Sequence, residues 1–495
     1  MNSSLQFKFP IDLTVNQFIT QLGNEIDTHL ISQRHQQKTY YDSFDWRLYA
    51  TDMICESVGS KLTLKTIKNN LIIASTKLAK VPRFSQFACE KVRHTLEPIL
   101  EMRALLPICT VAYQSYRFNI LNEDKKTVLR VFIEEYEQLN HRVLLQTIKG
   151  YDKAAEQMMG ILTQLGFTTT NKPILLAALK QQGRKVNDYS SKLAISLSPE
   201  MPADMASKII YKQLLATIKT NEQGTIADID SEFLHDFRVA VRRTRSALSQ
   251  LKEALPDDIT AHYTEFFSWL GKITSETRDF DVYLLNFDRY KNSLPVEIRE
   301  HLNPLHEFLY QKQRQAQQEL AKILRSSEYL SALSEWEQYL QQPANAYLSL
   351  SIKRLADKRL RKNYQRVLRE GEAITEQSLS DDLHELRKSC KKLRYLMEFF
   401  QSLYEKNKMK ILLKALKELQ EVLGDFQDCE VQVCHLKSFS AEMHDMNTPA
   451  ETFLAINILI ENLNNHKCEI RRHFAEKFAE FEQEETLNTF KSLFE

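Results

Sequence analysis

The chain has 495 residues, 26% of them charged and 43% hydrophobic, with a formal net charge of +1. Its length predicts two or three domains, and its ten glycines and twelve prolines are too few for a collagenous or disordered chain. The start lacks a signal-peptide pattern and no run is long and uncharged enough to cross a bilayer, so a cytoplasmic location without a membrane partner is expected. The seven scattered cysteines form no C-x-x-C pair and indicate neither a disulfide framework nor a zinc site.

Residues 1–169 contain short segments rich in β-branched and aromatic residues, separated by polar turns. Four of them predict antiparallel strands, namely "KLTLKTI", "NLIIAST", "TVAYQSYRFNIL" and "KTVLRVFIEEY". Helical patterns occur at "TVNQFITQLGNEIDTHL" and "YDKAAEQMMGILTQLGF". We therefore predict a mixed α+β domain over residues 1–169.

The remainder of the chain divides into a connector and an all-α domain. Residues 170–202 hold many turn-forming residues and are interpreted as a connector that carries one short helix. Over residues 203–495 apolar residues recur at helical spacing and strand signals disappear. This pattern predicts helical bundles with loops at "ALPDD", "QQPANA" and "MNTPAE".

The all-α region contains an internal repeat. Shifted by 149 positions without a gap, "LHDFRVAVRRTR" aligns with "LHELRKSCKKLR", and "TSETRDFDV" then aligns with "LGDFQDCEV". Two separated motifs that share one offset predict two similar halves, about residues 203–345 and 346–495, related by a pseudo-two-fold axis. The aligned polar pairs are His235 with His384, Arg238 with Arg387, Arg242 with Lys391, and Arg245 with Arg394.

In each copy these side chains share one face of a helix, because positions i, i+3, i+7 and i+10 fall within about 80° of arc. Like charges at this spacing repel, so a polyanion is a natural ligand, and the planar fork of arginine suits phosphate. The predicted anion ligands are His235, Arg238, Arg242, Arg243, Arg245, His384, Arg387, Lys388, Lys391, Lys392 and Arg394, with Arg354, Lys358, Arg361 and Lys362 on the basic segment between the motifs.

A solvated face is the usual explanation of one charge run, but two copies at a fixed offset favour an anion-binding surface. Acidic side chains follow each basic motif: Asp279 and Asp281 in the first copy, Asp428 and Glu430 in the second. We interpret them as partners of arginines or helix-capping groups rather than as metal ligands. The sequence predicts no metal and no cofactor.

The paired motifs "LHDFRVAVRRTR" with "TSETRDFDV" and "LHELRKSCKKLRYLMEFF" with "LGDFQDCEV" resemble the two halves of a CHAD domain, over about residues 201–495. The resemblance implies two four-helix bundles about a pseudo-two-fold axis, with inorganic polyphosphate bound along a basic surface at their join. The family arginine is replaced at Lys391, which keeps the charge and loses the bidentate fork.

The stretches "TYYDSFDWRLYATD" and "LEMRALLPICTVAYQSYRFNIL" resemble, more weakly, the CYTH or triphosphate-tunnel fold, which implies an antiparallel barrel. Enzymes of that fold open with an E-x-E-x-K motif whose glutamates bind a divalent metal. Here "SLQFKF" keeps Lys8 but has Ser4 and Gln6 at the glutamate positions. We therefore expect a degenerate, non-catalytic barrel that keeps cations able to bind an anion: Lys8, Arg47, Lys65, Arg103 and Arg117.

The leading hypothesis is a non-enzymatic polyphosphate-binding protein, expected in the cytoplasm and at polyphosphate granules. Three alternatives remain open: a metal-dependent triphosphatase or polyphosphatase in the first domain, a nucleic-acid-binding protein, and a structural protein whose cationic stripes pair with acidic helices such as "EKFAEFEQEE". No nucleic-acid-binding module or stacking platform stands out in the sequence.

Overall fold

The computed structural model describes residues 4–79, 83–343 and 350–494. The chain folds into two units, Met1–Ser190 and Ser191–Glu495. Three hydrophobic clusters stabilise the first unit and one large cluster stabilises the second. The order predicted from the sequence, an α+β domain followed by an all-α domain, is confirmed.

The first unit is built on one nine-stranded sheet whose described pairings are all antiparallel. The strand order is β5-β4-β3-β2-β6-β7-β8-β1-β9. No pairing joins β5 to β9 among the described residues, so the sheet is an open half-barrel. The strands are β1 Ser4–Lys8, β2 Thr28–Asp42, β3 Met53–Val58, β4 Lys61–Thr66, β5 Ile72–Lys77, β6 Leu106–Leu121, β7 Thr127–Tyr136, β8 Arg142–Thr147 and β9 Thr168–Thr169.

Five helices flank this sheet in the described part of the first unit: α1 Val15–Glu25, α2 Arg47–Ala50, α3 Glu90–Leu100, α4 Asp152–Gln164 and α5 Ile174–Gln181. Helix α5 is the short helix expected within the connector. It buries Ile174, Leu175 and Leu179 in the same core as Trp46, and the Trp46 indole Nε1 donates to Asp188 at 2.8 Å. Residues 170–190 therefore pack as part of the first unit, and the boundary between units lies within the predicted connector.

Helices make up the second unit, apart from short 3-10 turns and connecting segments. They are α6 Ala203–Ile226, α7 Ser231–Gln250, α8 Asp257–Ile273, α9 Ser275–Leu285, α10 Phe287–Asn292, α11 Asn303–Ile323, α12 Ser327–Gln341, α13 Ile352–Glu372, α14 Ser380–Phe400, α15 Lys406–His444, α16 Ala450–Phe481 and α17 Glu484–Phe494. None of the helices in the described ranges combines the length and apolarity that a bilayer crossing requires.

The repeat predicted from the sequence governs the helix boundaries of the second unit. Helices α6 and α13, α7 and α14, and α8 and α15 begin 149 residues apart in every case. The copies then diverge, because α15 runs unbroken for 39 residues whereas the first half divides the corresponding length among α8, α9 and α10.

Reciprocal hydrogen bonds mark the pseudo-two-fold axis between the halves. The amide of Ala203 donates to the carbonyl of Leu350 at 3.1 Å, and the amide of Ile352 donates to the carbonyl of Met201 at 2.8 Å. Under the 149-residue offset the two donors, Ala203 and Ile352, are equivalent residues, and so are the two acceptors, Met201 and Leu350. Two segments that satisfy each other's backbone groups in this way are related by a local two-fold axis.

Candidate functional site

Helices α7 and α14 carry the repeated basic motifs. Helix α7 begins at an N-cap, Asp230, whose side chain accepts from the amides of Glu232 and Phe233. The apolar arcs predicted for both helices are their buried faces. Those residues are Leu234, Phe237, Val241, Leu248 and Leu251 in the first copy and Leu386, Cys390, Leu393, Met397 and Phe400 in the second. The cationic stripes are thereby directed away from the core.

The first arginine of each stripe is held by the following helices of its own half. Arg238 Nη1 donates to Thr274 Oγ1 at 2.8 Å, and Arg387 Nη2 lies 3.3 Å from the Asp428 carboxylate. Burial, together with the neighbouring Arg242, lowers the pKa of Arg238 to about 10. The Nε atoms of both arginines are buried without a hydrogen-bond partner, so each guanidinium retains an unused donor.

The two stripes converge where the halves meet. Arg242 of the first copy and Lys391 of the second are equivalent residues, and Arg242 acts electrostatically on both Lys391 and Arg387. Burial, together with the charges of Arg387 and Arg242, lowers the pKa of Lys391 to about 7. We call the group Arg238, Arg242, Arg245, Arg387 and Lys391 the central cluster.

Carboxylates compensate the central cluster only in part. Within the described ranges, no ion pair joins an acid to Arg242, Arg245 or Lys391, while the Asp428 partner of Arg387 is 65% exposed. Cations held this close without anions destabilise the fold by mutual repulsion. A multivalent anion bound here would offset that repulsion.

Arg243 and Arg394, also predicted as anion ligands, share an acidic partner. Glu398 Oε2 accepts from Arg243 Nη2 at 2.6 Å, and Glu398 Oε1 lies 3.4 Å from Arg394 Nε. Both guanidinium groups lie over the Tyr395 ring. We call this arrangement the Glu398 clip. It joins helix α7 of one half to helix α14 of the other, and the sequence did not single out Glu398.

The other predicted ligands lie beside the central cluster. His384 Nδ1 lies 2.6 Å from Gln427 Oε1, and its counterpart His235 is half-buried. Lys388 pairs with Glu385 along the helix. Burial, together with Arg366 and Lys388, lowers the pKa of Lys392, so this edge of α14 also gathers cations from the second half of α13.

The first half of α13 presents a separate basic surface formed by Arg354, Lys358, Arg361 and Lys362. All four side chains are exposed, but two have protein partners. Lys358 lies 3.1 Å from Glu253, and Arg361 donates to the carbonyl of Phe494. The structure therefore divides the predicted ligands among the central cluster with its neighbouring residues, the Glu398 clip, and this surface of α13.

The acids that follow each motif have varied partners. Asp428 pairs with Arg387, Glu430 lies 3.6 Å from Lys467, and Asp281 accepts from Gln313 at 3.1 Å. Asp279 is close to Arg238, although burial raises the pKa of its carboxyl group. Within residues 4–79, 83–343 and 350–494, no cluster of three or more His, Cys, Asp or Glu side chains could hold a metal ion.

One face of the first unit's sheet lines a groove of about 700 Å³, and both carboxylates in its lining are paired with lysines. Lys38 Nζ lies 2.7 Å from Glu134, and Lys65 Nζ lies 2.8 Å from Glu56. Tyr136 also donates to Glu134, at 2.6 Å. Burial by itself would lower the pKa of Lys38, but Glu134, Tyr40, Glu56 and Tyr113 together raise this pKa well above its ordinary value.

The five cations predicted to serve as anion ligands in the first unit do not form one site. Lys65 and Arg117 line the groove. Arg47 and Arg103 instead share the Asp45 carboxylate at 3.0 and 3.5 Å, and Lys8 is not part of the groove lining.

Residues 209–437 match the family model of the CHAD domain. This region is a CHAD domain. A search of curated proteins gave no match. Among solved structures, the CHAD domain of the plant Ricinus communis is 23% identical with a TM-score of 0.50, and the match covers 58% of this chain and 94% of that one.

Two other solved structures show lower structural similarity. PptA from Streptomyces chartreusis is 14% identical with a TM-score of 0.45, over 57% of this chain and 100% of that one. A Hippeastrum protein, described as a candidate adenylyl cyclase with a dominant triphosphatase activity, is 10% identical with a TM-score of 0.27, over 38% of this chain and 100% of that one. The open half-barrel itself agrees with the CYTH-like fold that the sequence resemblance implies.

Both basic helices, the central cluster and the Glu398 clip lie within the matched CHAD residues. The packing of the second half extends beyond them. Helices α16 and α17 follow residue 437, yet the Phe490 ring stacks on Tyr364 of α13 with centroids 3.6 Å apart. The CHAD domain is therefore stabilised by the C-terminal helices as well as by its matched core.

Proposed function

We propose that the CHAD domain binds inorganic polyphosphate, without hydrolysing it, at the central cluster. The observation that carries this proposal is the convergence of Arg242 with Arg387 and Lys391, where neither Arg242 nor Lys391 has an ion-pair partner among the described residues. A chain of linked phosphates supplies closely spaced negative charges and many acceptor oxygens. It can therefore neutralise several cations at once, and its oxygens suit the planar fork of arginine.

The symmetry of the site favours polyphosphate over nucleic acid. A linear inorganic polyphosphate chain is identical when its two ends are exchanged, and the two basic helices are similar in sequence and related by the pseudo-two-fold axis. A nucleic acid strand has a direction and carries bases that proteins bind by stacking. Tyr395, the aromatic residue beside the cluster, is buried beneath Arg243 and Arg394, where no base can stack on it.

For the first unit we propose that the groove does not hydrolyse triphosphates. The two carboxylates in its lining, Glu56 and Glu134, are already paired with Lys65 and Lys38. Gln6, which stands at a glutamate position of the expected motif, lines this part of the sheet. An uncharged amide is a poor substitute for the anionic oxygens that hold a catalytic magnesium ion.

Titration of the full chain with long-chain polyphosphate is expected to show tight binding that weakens by about 100-fold between 50 and 200 mM salt, if about five phosphates are neutralised. Calorimetry or fluorescence anisotropy would measure it. Single-stranded RNA at equal phosphate concentration should not displace the polyphosphate. Binding insensitive to salt, or efficient displacement by RNA, would contradict the proposal.

Samples incubated with tripolyphosphate and magnesium or manganese test the second part of the proposal. Phosphate release should not exceed that of a protein-free control. Release that disappears on replacing Glu56 or Glu134 by glutamine would instead show that the first unit is an enzyme.

Polyphosphate affinity is expected to fall as the pH rises from 7 to 9. With a pKa of about 7, Lys391 loses its proton over this range in the free protein, while a bound anion favours the charged form and raises its pKa. Binding therefore takes up a proton above pH 7, and affinity declines until the pH exceeds the pKa in the complex. Calorimetry in buffers of different ionisation enthalpy would measure the uptake.

The control for this pH dependence is Lys391→Arg, since arginine keeps its charge throughout the range. It should flatten the decline, whereas Lys388→Arg on the flank should leave it unchanged. An equal pH dependence in the wild type and Lys391→Arg would exclude Lys391 as its source.

A further inference from the structure

Helix α15 carries a second row of cations beyond the predicted sites. Lys406, Lys410, Lys414 and Lys417 are all exposed. At about 100° per residue they fall within about 80° of arc and so share one face of the helix. At about 1.5 Å per residue the row is about 16 Å long. We call these four residues the α15 stripe.

The α15 stripe lies in line with the central cluster. Helices α14 and α15 pack antiparallel, because Arg387 contacts Asp428 whereas Cys390, farther along α14, contacts Gln420, which comes earlier in α15. Further along, Gln420 donates to the Cys390 carbonyl at 2.6 Å. Continuing this register places Lys417 level with Arg394, at the end of the α14 stripe, and Lys410 and Lys406 farther out.

The angular position of the stripe agrees with this register. Gly424 lies on the same face of α15 as the stripe and beside the Arg387 guanidinium, since an added Cβ would be in ordinary van der Waals contact with Nη2 at 3.9 Å. Asp428, on the same face, contacts the same guanidinium. Glu421 lies on this face between Gly424 and Lys417 and pairs with Lys417 at 3.3 Å. A chain held at Arg387 would pass this one carboxylate and then continue over the exposed ammonium groups of the α15 stripe.

The fold does not require lysines on this face, as the first half shows. The positions equivalent to the stripe are Asp257, Ala261, Glu265 and Ser268 on α8. At these four positions the helix carries four cations in one half and two acids in the other. Within the second half, Lys414 and Lys417 have only exposed partners at 3.8 and 3.3 Å, which contribute little to stability.

We propose that the α15 stripe extends the polyphosphate site on one side of the pseudo-two-fold axis, so that long chains bind more tightly than short ones and leave the central cluster over the second half. This inference rests on the function proposed above. The central cluster alone would hold a short segment symmetrically. Because α15 is basic at these positions and α8 is not, a longer chain then extends along α15 rather than along α8.

The test compares tripolyphosphate with long-chain polyphosphate, using the full chain with Lys406, Lys410, Lys414 and Lys417 all replaced by glutamine. Affinity for the long chain should fall about 10-fold or more, and the slope of log affinity against log salt should decrease by about 3, or about 0.7 for each lost phosphate contact. Affinity for tripolyphosphate should change less than twofold. Circular dichroism and thermal unfolding would verify the fold.

A matched control removes four lysines from other helices: Lys219, Lys312, Lys322 and Lys477, each next to a glutamate. It should leave the length preference intact. Conversely, Ala261→Lys with Glu265→Lys on α8 should increase long-chain affinity. The proposal would be overturned if the stripe variant and the control lost equal affinity for the long chain. It would also be overturned if the stripe variant lost equal affinity for the long chain and for tripolyphosphate. If the wild type bound neither ligand, the proposed function itself would fail.

Discussion

Replacing both Arg242 and Lys391 by glutamine is expected to lower polyphosphate affinity by about 100-fold or more. Hydrogen bonds to charged groups contribute about 1.5–3 kcal/mol each, and every 1.4 kcal/mol corresponds to about tenfold in affinity. These two residues are chosen because no ion pair in the described part of the chain would be broken, whereas Arg238 and Arg387 also hold neighbouring helices. Calorimetric titration with long-chain polyphosphate would measure the loss.

The same variant separates a binding site from a structural one. Since Arg242 and Lys391 lie among like charges, removing them should leave the free energy of unfolding unchanged or raise it by about 0.5 kcal/mol. Lys219→Gln with Lys322→Gln removes two charges on other helices and should preserve affinity. Unchanged polyphosphate affinity in the first variant, or a large loss of stability, would show that the stripes serve the fold.

Replacing Glu398 by alanine is expected to destabilise the CHAD domain by about 3 kcal/mol, because removing one partner of a largely buried ion pair leaves uncompensated charge. The side chains of Glu398 and Arg243 are only 21% and 13% exposed. Without the carboxylate, Arg243 and Arg394 would both add to the repulsion around Lys391. Denaturant-induced unfolding monitored by circular dichroism would measure the change.

Two comparisons define the role of the Glu398 clip. Glu337→Ala breaks a more exposed pair with Lys219 and should cost less than about 1 kcal/mol. Arg243→Ala should lower stability with little effect on polyphosphate affinity, although its sequence position predicts an anion ligand. A tenfold loss of polyphosphate affinity without loss of stability in Arg243→Ala would show that Arg243 is an anion ligand, as its sequence position predicts.

The sequence predicted the repeat and its offset because both depend on local spacing. The helix starts at Ser231 and Ser380 agree with it, as do the buried apolar arcs. The clip could not be predicted in this way, because its members are not equivalent under the repeat. The positions matching Glu398 and Arg243 in the other copies are Ser249 and Lys392. Which cation meets which acid depends on how the two helices cross.

In the first unit, strand β2, Thr28–Asp42, was not predicted although it is 15 residues long. None of its first ten residues is buried and eight of them are polar, so the alternation that indicates a half-buried strand is missing. Pairing with the clearly apolar β6 establishes the strand instead. Helix α5 illustrates the converse, because turn-forming neighbours suggested a connector while its own apolar residues pack into a core.

The reciprocal backbone bonds of Ala203 and Ile352 have a consequence for the origin of the domain. In quaternary terms the join is an isologous interface, in which the same patch on each side contacts its own counterpart. Two identical copies of one half could make these bonds across a true symmetry axis, so the CHAD domain has the architecture of a homodimer whose subunits are covalently fused. Fusion releases each copy from the requirement of identity. One half can then acquire basic residues on a helix where the other retains acids, a division of labour that a symmetric dimer cannot encode.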